Sequence, residues 1–314
     1  MSGADLTILD TVLQTPAKPP DPIADFTDWK QLWKKIVPAW QSPIDRALAG
    51  GLAADRPAWA FAAGYQGAIQ ALLPDHPCDQ VAALCISEEH GAHPAGIRTR
   101  LTAADGGSGW RLDGMKAFVS GAQGADRLLV AASIGATPDG RNRLRMVLVP
   151  ADRAGVHITP LPNLGFVPEM PHGGVRFEAV DVADADLLPC DGYNGAVKPF
   201  RTLEDIHVTG AFLAWFCAVG RRSGWPDALL ESLLALIVTA RTLALASPLD
   251  PHVHLALGGL LAQVAKLMAA AEPLWERVDA RTRRWWQRDR RILKIAAAVR
   301  ARRLETARAR FHPS

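Results

Sequence analysis

The sequence predicts an α+β protein: N-terminal helices, an antiparallel β-barrel or sandwich as the middle domain, and a C-terminal helical bundle. Three observations predict it. Before residue 74, Trp29, Leu32, Trp33 and Ile36 recur at three- and four-residue spacing, as one buried helix face requires. Between residues 81 and 182, short β-type runs alternate with Gly, Asp and Pro, with no long helical segment between them. From Pro199 onward the text is helical again, broken only at Gly224-Trp225-Pro226 and Ser247-Pro248.

The elements follow in order. Residues 1–80 form an N-terminal helical domain, residues 81–195 a β domain and residues 196–314 a helical bundle. Pro16, Pro19, Pro20 and Pro22 mark residues 1–24 as an extended lead-in. A helix opens at Pro57, a residue tolerated in a first turn, and stops at Pro74, which lacks the donor a continuing turn needs. Strands are expected at 81–87, 96–103, 109–114, 116–121, 127–133, 143–150, 155–161 and 174–180. Helices are expected at 199–220, 226–246, 252–279 and 281–311. The last is amphipathic, with Ile292, Ile295, Ala296 and Val299 on one stripe, arginines elsewhere, and Trp285 and Trp286 packed on the bundle.

Composition excludes several classes. Over 314 residues, 49% apolar and 21% charged residues argue for a globular chain rather than a disordered one. No apolar run is read as long enough to span a membrane. Asp5 and Asp10 stand where a signal peptide has basic residues, so a cytoplasmic location is expected. Cys78, Cys85, Cys190 and Cys217 form no CxxC pair, which points to reduced, packed thiols and no zinc site. From Glu276 onward thirteen basic residues face four acids, a net +9, whereas the rest of the chain carries −6. The basic end suits a solvated or inter-subunit face, or an attraction for phosphates, better than nucleic acid.

The middle segment carries the most specific motifs. Cys85-Ile86-Ser87-Glu88 ends a strand and is followed by a turn, Gly91 to Thr99. Then come Gly109-Trp110-Arg111-Leu112-Asp113-Gly114-Met115-Lys116-Ala117-Phe118-Val119-Ser120-Gly121-Ala122 and Ala125-Asp126. Gly155-Val156 and the run Phe177 to Val182 complete the set. In these motifs and in its helix–sheet–helix order the chain resembles the acyl-CoA dehydrogenase family, over about residues 55–310 and most strongly over 81–195.

The resemblance implies an FAD enzyme that oxidises the Cα–Cβ bond of an acyl thioester. A carboxylate takes the α-proton, and the flavin accepts the hydride. It implies that Ser87 bonds the flavin ring, Ser120 bonds near its N5, and Phe118 covers its face. It places Glu204, in Arg201-Thr202-Leu203-Glu204, at a base position used by some branches. His207, one helical turn on, and His93, in the turn that replaces the family's Ser and Asp with Ala92 and His93, are assigned to substrate binding. Partners implied are acyl-CoA or a related thioester, an electron acceptor, and a second copy or a related subunit.

The chain also departs from the pattern. The bundle lacks the R-x-x-F-G motif for the FAD pyrophosphate, the G-G-x-G-Y helix start, and the alternative C-terminal Glu. A second reading is therefore a cofactor-poor homologue that acts as a binding or partner subunit of a full-length dehydrogenase. Taken singly, Ser87, Ser120 and Phe118 also read as plain strand residues, and Glu204 as a first-turn carboxylate. Glu88, Glu89, His90 and His93 lack the fixed spacing of a metal site and read as a polar loop. Asp250 with His252 and His254 reads as a helix cap. His172 has no assigned place.

Overall fold

The computed structural model describes every residue except 1–3, 16–17, 90, 92, 105, 163 and 312–314, and the side chains of 4–7. Contacts divide the chain into two compact units. The helical unit comprises residues 1–75, 165–167 and 202–314, and the β unit comprises 76–164 and 168–201.

In the helical unit, α1 spans Ala4–Gln14, α2 Phe26–Ile36, α3 Pro43–Ala53 and α4 Pro57–Leu72. The helix α1 replaces the first half of the expected extended lead-in. The prolines that suggested extension all lie after it, while Ile8 and Val12, four residues apart, are buried. Asp25 caps α2 by accepting from the Thr27 and Asp28 amides. Trp29 stacks on Trp33 and Trp59 at 5.6 and 6.3 Å between ring centroids, which makes one face of the unit aromatic.

The bundle helices are α5 (Lys198–Arg222), α6 (Asp227–Ala244), α7 (Pro251–Ala271), α8 (Ala280–Asp289) and α9 (Ala297–Phe311). From Asp205 to Gly220 every residue of α5 is buried, as a helix that is apolar all round demands. Gly64 lets α4 approach it directly: a Cβ there would lie 2.4 Å from the Val208 Cα. Arg241 of α6 reaches Asp45 of α3 at 2.7 Å. Asp250 caps α7 through the His252 amide at 2.8 Å, the cap read from the sequence. Trp286 packs against Trp215 and Trp275, and Trp285 lies under the Arg56 guanidinium.

Two expectations for the bundle fail. The helix expected over 281–311 breaks into α8 and α9 around a 3₁₀ turn at Arg290–Lys294. That break rotates the apolar stripe outward, so Ile295 is 60% and Val299 40% exposed. A buried acid on α5 draws arginines of α9 inward instead. Second, one stretch, Pro251–Arg277, is long and apolar enough to cross a membrane by length and composition, although no such run was expected. Its Val253, Leu257, Leu260 and Val264 form the buried stripe of α7.

The β unit is a curled seven-stranded sheet: β1 Ala82–Cys85, β2 Arg100–Ala103, β3 Trp110–Ser120, β4 Arg127–Ala136, β5 Asn142–Pro150, β6 Val156–Pro160 and β7 His172–Val182. The order is β1-β4-β2-β3-β7-β6, with β5 on β4. Most pairings are antiparallel as expected, but β1 and β2 each meet β4 in parallel. The two strands read at 109–114 and 116–121 are one strand, β3, with register shifts at Leu112/Gly114 and Lys116/Val119. Those bulges interrupt the alternation that marks a single strand in the sequence. Leu112, Val119, Leu128, Val130, Val147 and Phe177 share the core of this unit.

Residues 165–167 leave the β sequence to join the helical unit. The fully buried Asp289 carboxylate accepts the Val167 amide at 2.8 Å and the Arg288 guanidinium at 2.7 Å. These bonds, two of them from the Arg288 guanidinium, satisfy an acid that is otherwise costly to bury.

Candidate active site

The candidate residues of the β unit lie along one stretch of β3 and the segment that follows β1. Ser87 is half-buried, and its carbonyl accepts the Ala117 amide at 2.8 Å. That bond closes the bulge between Lys116 and Val119. Beneath it sits a charged pair that the sequence reading did not identify. Lys116 Nζ, fully buried, donates to Glu88 Oε1 at 2.8 Å and to the Ile86 carbonyl at 3.3 Å. Glu88 also accepts the Thr99 amide and hydroxyl at 3.0 and 2.8 Å, and the Arg98 amide at 2.8 Å. Burial pushes the Glu88 carboxyl up, but these donors outweigh it and hold it below the usual carboxylate range. Burial holds Lys116 below the usual ammonium range, with Glu88 opposing.

Glu88 is thus spoken for as a buried counter-ion. Among the described residues, no group of three acidic, His or Cys side chains could hold a metal ion. His90 and Ala92 lie outside the described residues. Gly114 is required here: at φ +141° a Cβ would sit 2.6 Å from the Thr99 Cα. The motif's Asp126 has a structural task, accepting the Val81 amide at 2.8 Å where β1 begins.

The buried pair holds the bulge that presents Phe118. Phe118 has φ +55°, a region a bulky L residue rarely adopts, and 56% of it is exposed. Met115, on the same strand, is 65% exposed. An aromatic held in a strained conformation and pointed at solvent is the reverse of what packing alone selects.

Ser120 lies opposite His172 in the β3–β7 register, and its Oγ is 3.2 Å from His172 Nδ1. Burial holds the His172 imidazole below its usual pKa, so it is neutral near pH 7. His172 Nε2 is buried with no hydrogen-bond partner among the described residues. A neutral ring carries one proton. Either Ser120 donates to Nδ1 and an Nε2–H is orphaned, or Nδ1–H donates to Ser120 and a bare Nε2 is orphaned. Both forms leave one ring nitrogen unused, which is unusual for a buried polar atom. The signal for this pair was the cross-strand register, which a sequence does not display.

The remaining candidates lie elsewhere. His93 is exposed, and its Nδ1 accepts the Ala95 amide at 3.3 Å, capping a 3₁₀ turn at Pro94–Gly96. Glu204 is half-buried in the early turns of α5. His207 does not reach a substrate surface: it is 1% exposed, its ring lies against Gly67 of α4, and its Nδ1 pairs with the Leu203 carbonyl at 2.7 Å. Burial pushes its pKa down to about 4. The expectation that it binds substrate is therefore corrected: α4 covers it. Asp205, next to Glu204, is buried and accepts Arg300 Nε at 2.7 Å and the Arg303 guanidinium. Arg300 also donates to the Leu293 carbonyl at 2.6 Å.

Helices, a curled sheet and a helical bundle in this order, with bulged β3 at its centre, define the acyl-CoA dehydrogenase fold. Residues 83–180 match the model of the acyl-CoA dehydrogenase middle domain. Among solved structures the chain is similar to glutaryl-CoA dehydrogenase from Mycobacterium smegmatis, with 14% identity and a TM-score of 0.65 over 98% of this chain and 95% of that one. It is similar to butyryl-CoA dehydrogenase from Megasphaera elsdenii at 13% identity, TM-score 0.65, over 98% of each chain. It is also similar to the dibenzothiophene monooxygenase TdsC from Paenibacillus sp. A11-2 at 19% identity, TM-score 0.64, over 98% and 96%. No curated protein matches it by sequence. Residues 83–180 thus match an acyl-CoA dehydrogenase middle domain, and the chain as a whole shares the fold of these structures.

Proposed function

We propose that this chain is a flavin-dependent oxidoreductase whose β unit holds the isoalloxazine ring at Ser87, Phe118 and Ser120, and that it dehydrogenates the Cα–Cβ bond of an acyl thioester. The observation that carries the reading is Phe118, exposed and strained on a bulge fastened by a buried Lys116–Glu88 pair. The residues present fit a flavin. A planar ring with a polar edge accounts for the exposed aromatic, the flanking hydroxyls and the orphaned His172 Nε2. When bound, FAD supplies the two-electron acceptor.

The chain's own residues do the rest. The hydroxyls of Ser87 and Ser120 bind the ring's polar edge, and His172 fixes the direction of the Ser120 hydroxyl. Phe118 covers the ring and excludes water. Glu204, half-buried on α5, accepts the α-proton. His207, neutral and enclosed, takes no part in the transfer. The neighbours support the wider class as well, since one of them is a monooxygenase solved with FMN. We further place the protein in the cytoplasm as a homo-oligomer that passes electrons to a separate acceptor.

A second reading, a partner subunit that binds no flavin itself, is favoured by the missing R-x-x-F-G motif of the bundle. The visible absorbance of the purified protein after incubation with FAD and gel filtration separates the two. A retained flavin band that acyl-CoA thioesters bleach supports the enzyme. No band with added FAD overturns it. Glu204→Gln should keep the band and lose the bleaching; wild-type bleaching in that variant would remove Glu204 from its role.

A further inference from the structure

The bundle contains a cavity of about 540 Å³, within the roughly 300–1,000 Å³ of small-molecule pockets. All of its lining residues belong to the helical unit. Neither Glu204 nor any residue of β3 lines it. Its walls are apolar: Phe212 and Phe216 from α5, Leu261, Val264 and Met268 from α7, and Trp286 from α8. Its cations come from one side, the 3₁₀ turn at Arg290–Lys294 and the start of α9: Arg290, Arg291, Lys294 and Arg300.

The charge does not balance within the cavity. One carboxylate, Glu272, lines it against those four cations. Arg290 pairs with Glu272 at 3.0 Å, and Arg300 is committed to Asp205 behind the wall. Arg291 lies over the Phe166 ring at 4.7 Å, and Lys294 is exposed. Fully screened surface charges would not select a ligand, but cations beside an apolar, low-dielectric wall do.

We propose that this cavity binds a single-chain amphiphile with an anionic head, of the size of a medium-chain carboxylate. The chain lies against Phe212, Val264 and Met268, and the head meets Lys294 on the cationic side of the cavity. This site is independent of the flavin reading and stands whether or not the β unit binds FAD.

The test is isothermal titration of the purified full-length protein with decanoate, 1-decanol and decyltrimethylammonium. Decanoate should bind with one equivalent per chain, and 1-decanol about tenfold more weakly. The cationic amphiphile should not bind, and added salt should weaken decanoate. Lys294→Glu, at an exposed position, should reduce decanoate affinity about tenfold and leave 1-decanol unchanged. Val264→Trp should abolish both by filling the cavity. Equal binding of all three amphiphiles, no saturable binding of decanoate, or unchanged decanoate binding in Lys294→Glu overturns the proposal.

Discussion

Ser120 and His172 meet across β3 and β7 with 3.2 Å between hydroxyl and Nδ1, and the far nitrogen of His172 is buried with no partner among the described residues. A polar atom left unmatched in a closed environment costs about 1–3 kcal/mol. The pairing aligns the hydroxyl that the proposed function assigns to the flavin edge.

His172→Leu follows from this. It removes the orphaned nitrogen, so the thermal unfolding midpoint should hold or rise. FAD affinity, measured by quenching of flavin fluorescence, should fall about tenfold. A lower midpoint with unchanged affinity would make His172 a structural residue only.

Phe118→Gly separates stability from binding. The φ of +55° costs a phenylalanine about 1–3 kcal/mol, and glycine's extra chain entropy costs about 0.5–1 kcal/mol. Little packing is lost because the ring is 56% exposed. The variant should match or exceed the wild type in urea denaturation and lose retained FAD. A variant that keeps the flavin band at full strength would sink the role given to Phe118.

Asp205→Asn tests the fastening of α9. Asp205 is 5% exposed and holds both Arg300 and Arg303, so neutralising it leaves two guanidinium groups without their counter-charge. The expected cost is about 3 kcal/mol. Amide hydrogen exchange should quicken over 297–311 and stay unchanged over β3 and β7. Unaltered protection of α9 would show that its apolar contacts hold it alone.

The pH dependence of stability has a definite sign. Burial lowers the folded pKa of His207 to about 4, below the ordinary imidazole value of about 6.5, so the unfolded chain binds its proton first as pH falls. The stability this group contributes is present above pH about 6.5 and is lost progressively down to about 4, by up to about 3 kcal/mol. His76 and His172, also lowered by burial, act in the same direction. Denaturant midpoints should fall between those pH values, and His207→Gln should flatten the curve. A wild-type curve that is level from pH 7 to 5 would contradict the burial of all three rings.

Much of this was legible in one dimension. Helix stops follow from Pro74, from Gly224 with Pro226, and from Pro248, because proline removes a donor and glycine frees the backbone. The strands of the β unit follow from alternation, and the match to the acyl-CoA dehydrogenase middle domain follows from a run of motif residues around β3. The four prolines suggest an extended lead-in, but the Ile8–Val12 spacing, which lies before them, makes α1 a helix.

Other features depend on partners far away in the chain. Two bulges make one strand of what alternation divides into two, and they turn Phe118 outward. Glu88 reads as a loop acid until Lys116, 28 residues on, arrives beside it. His207 shares a helix face with Glu204 on paper, yet α4 closes over it, and the arginines of α9 turn inward because Asp205 waits there. Local propensity and periodicity are properties of neighbours along the chain, so the residues carry them on their own. Burial, cross-strand register and the neutralising of charge are properties of neighbours in space, and they exist only once the chain has folded.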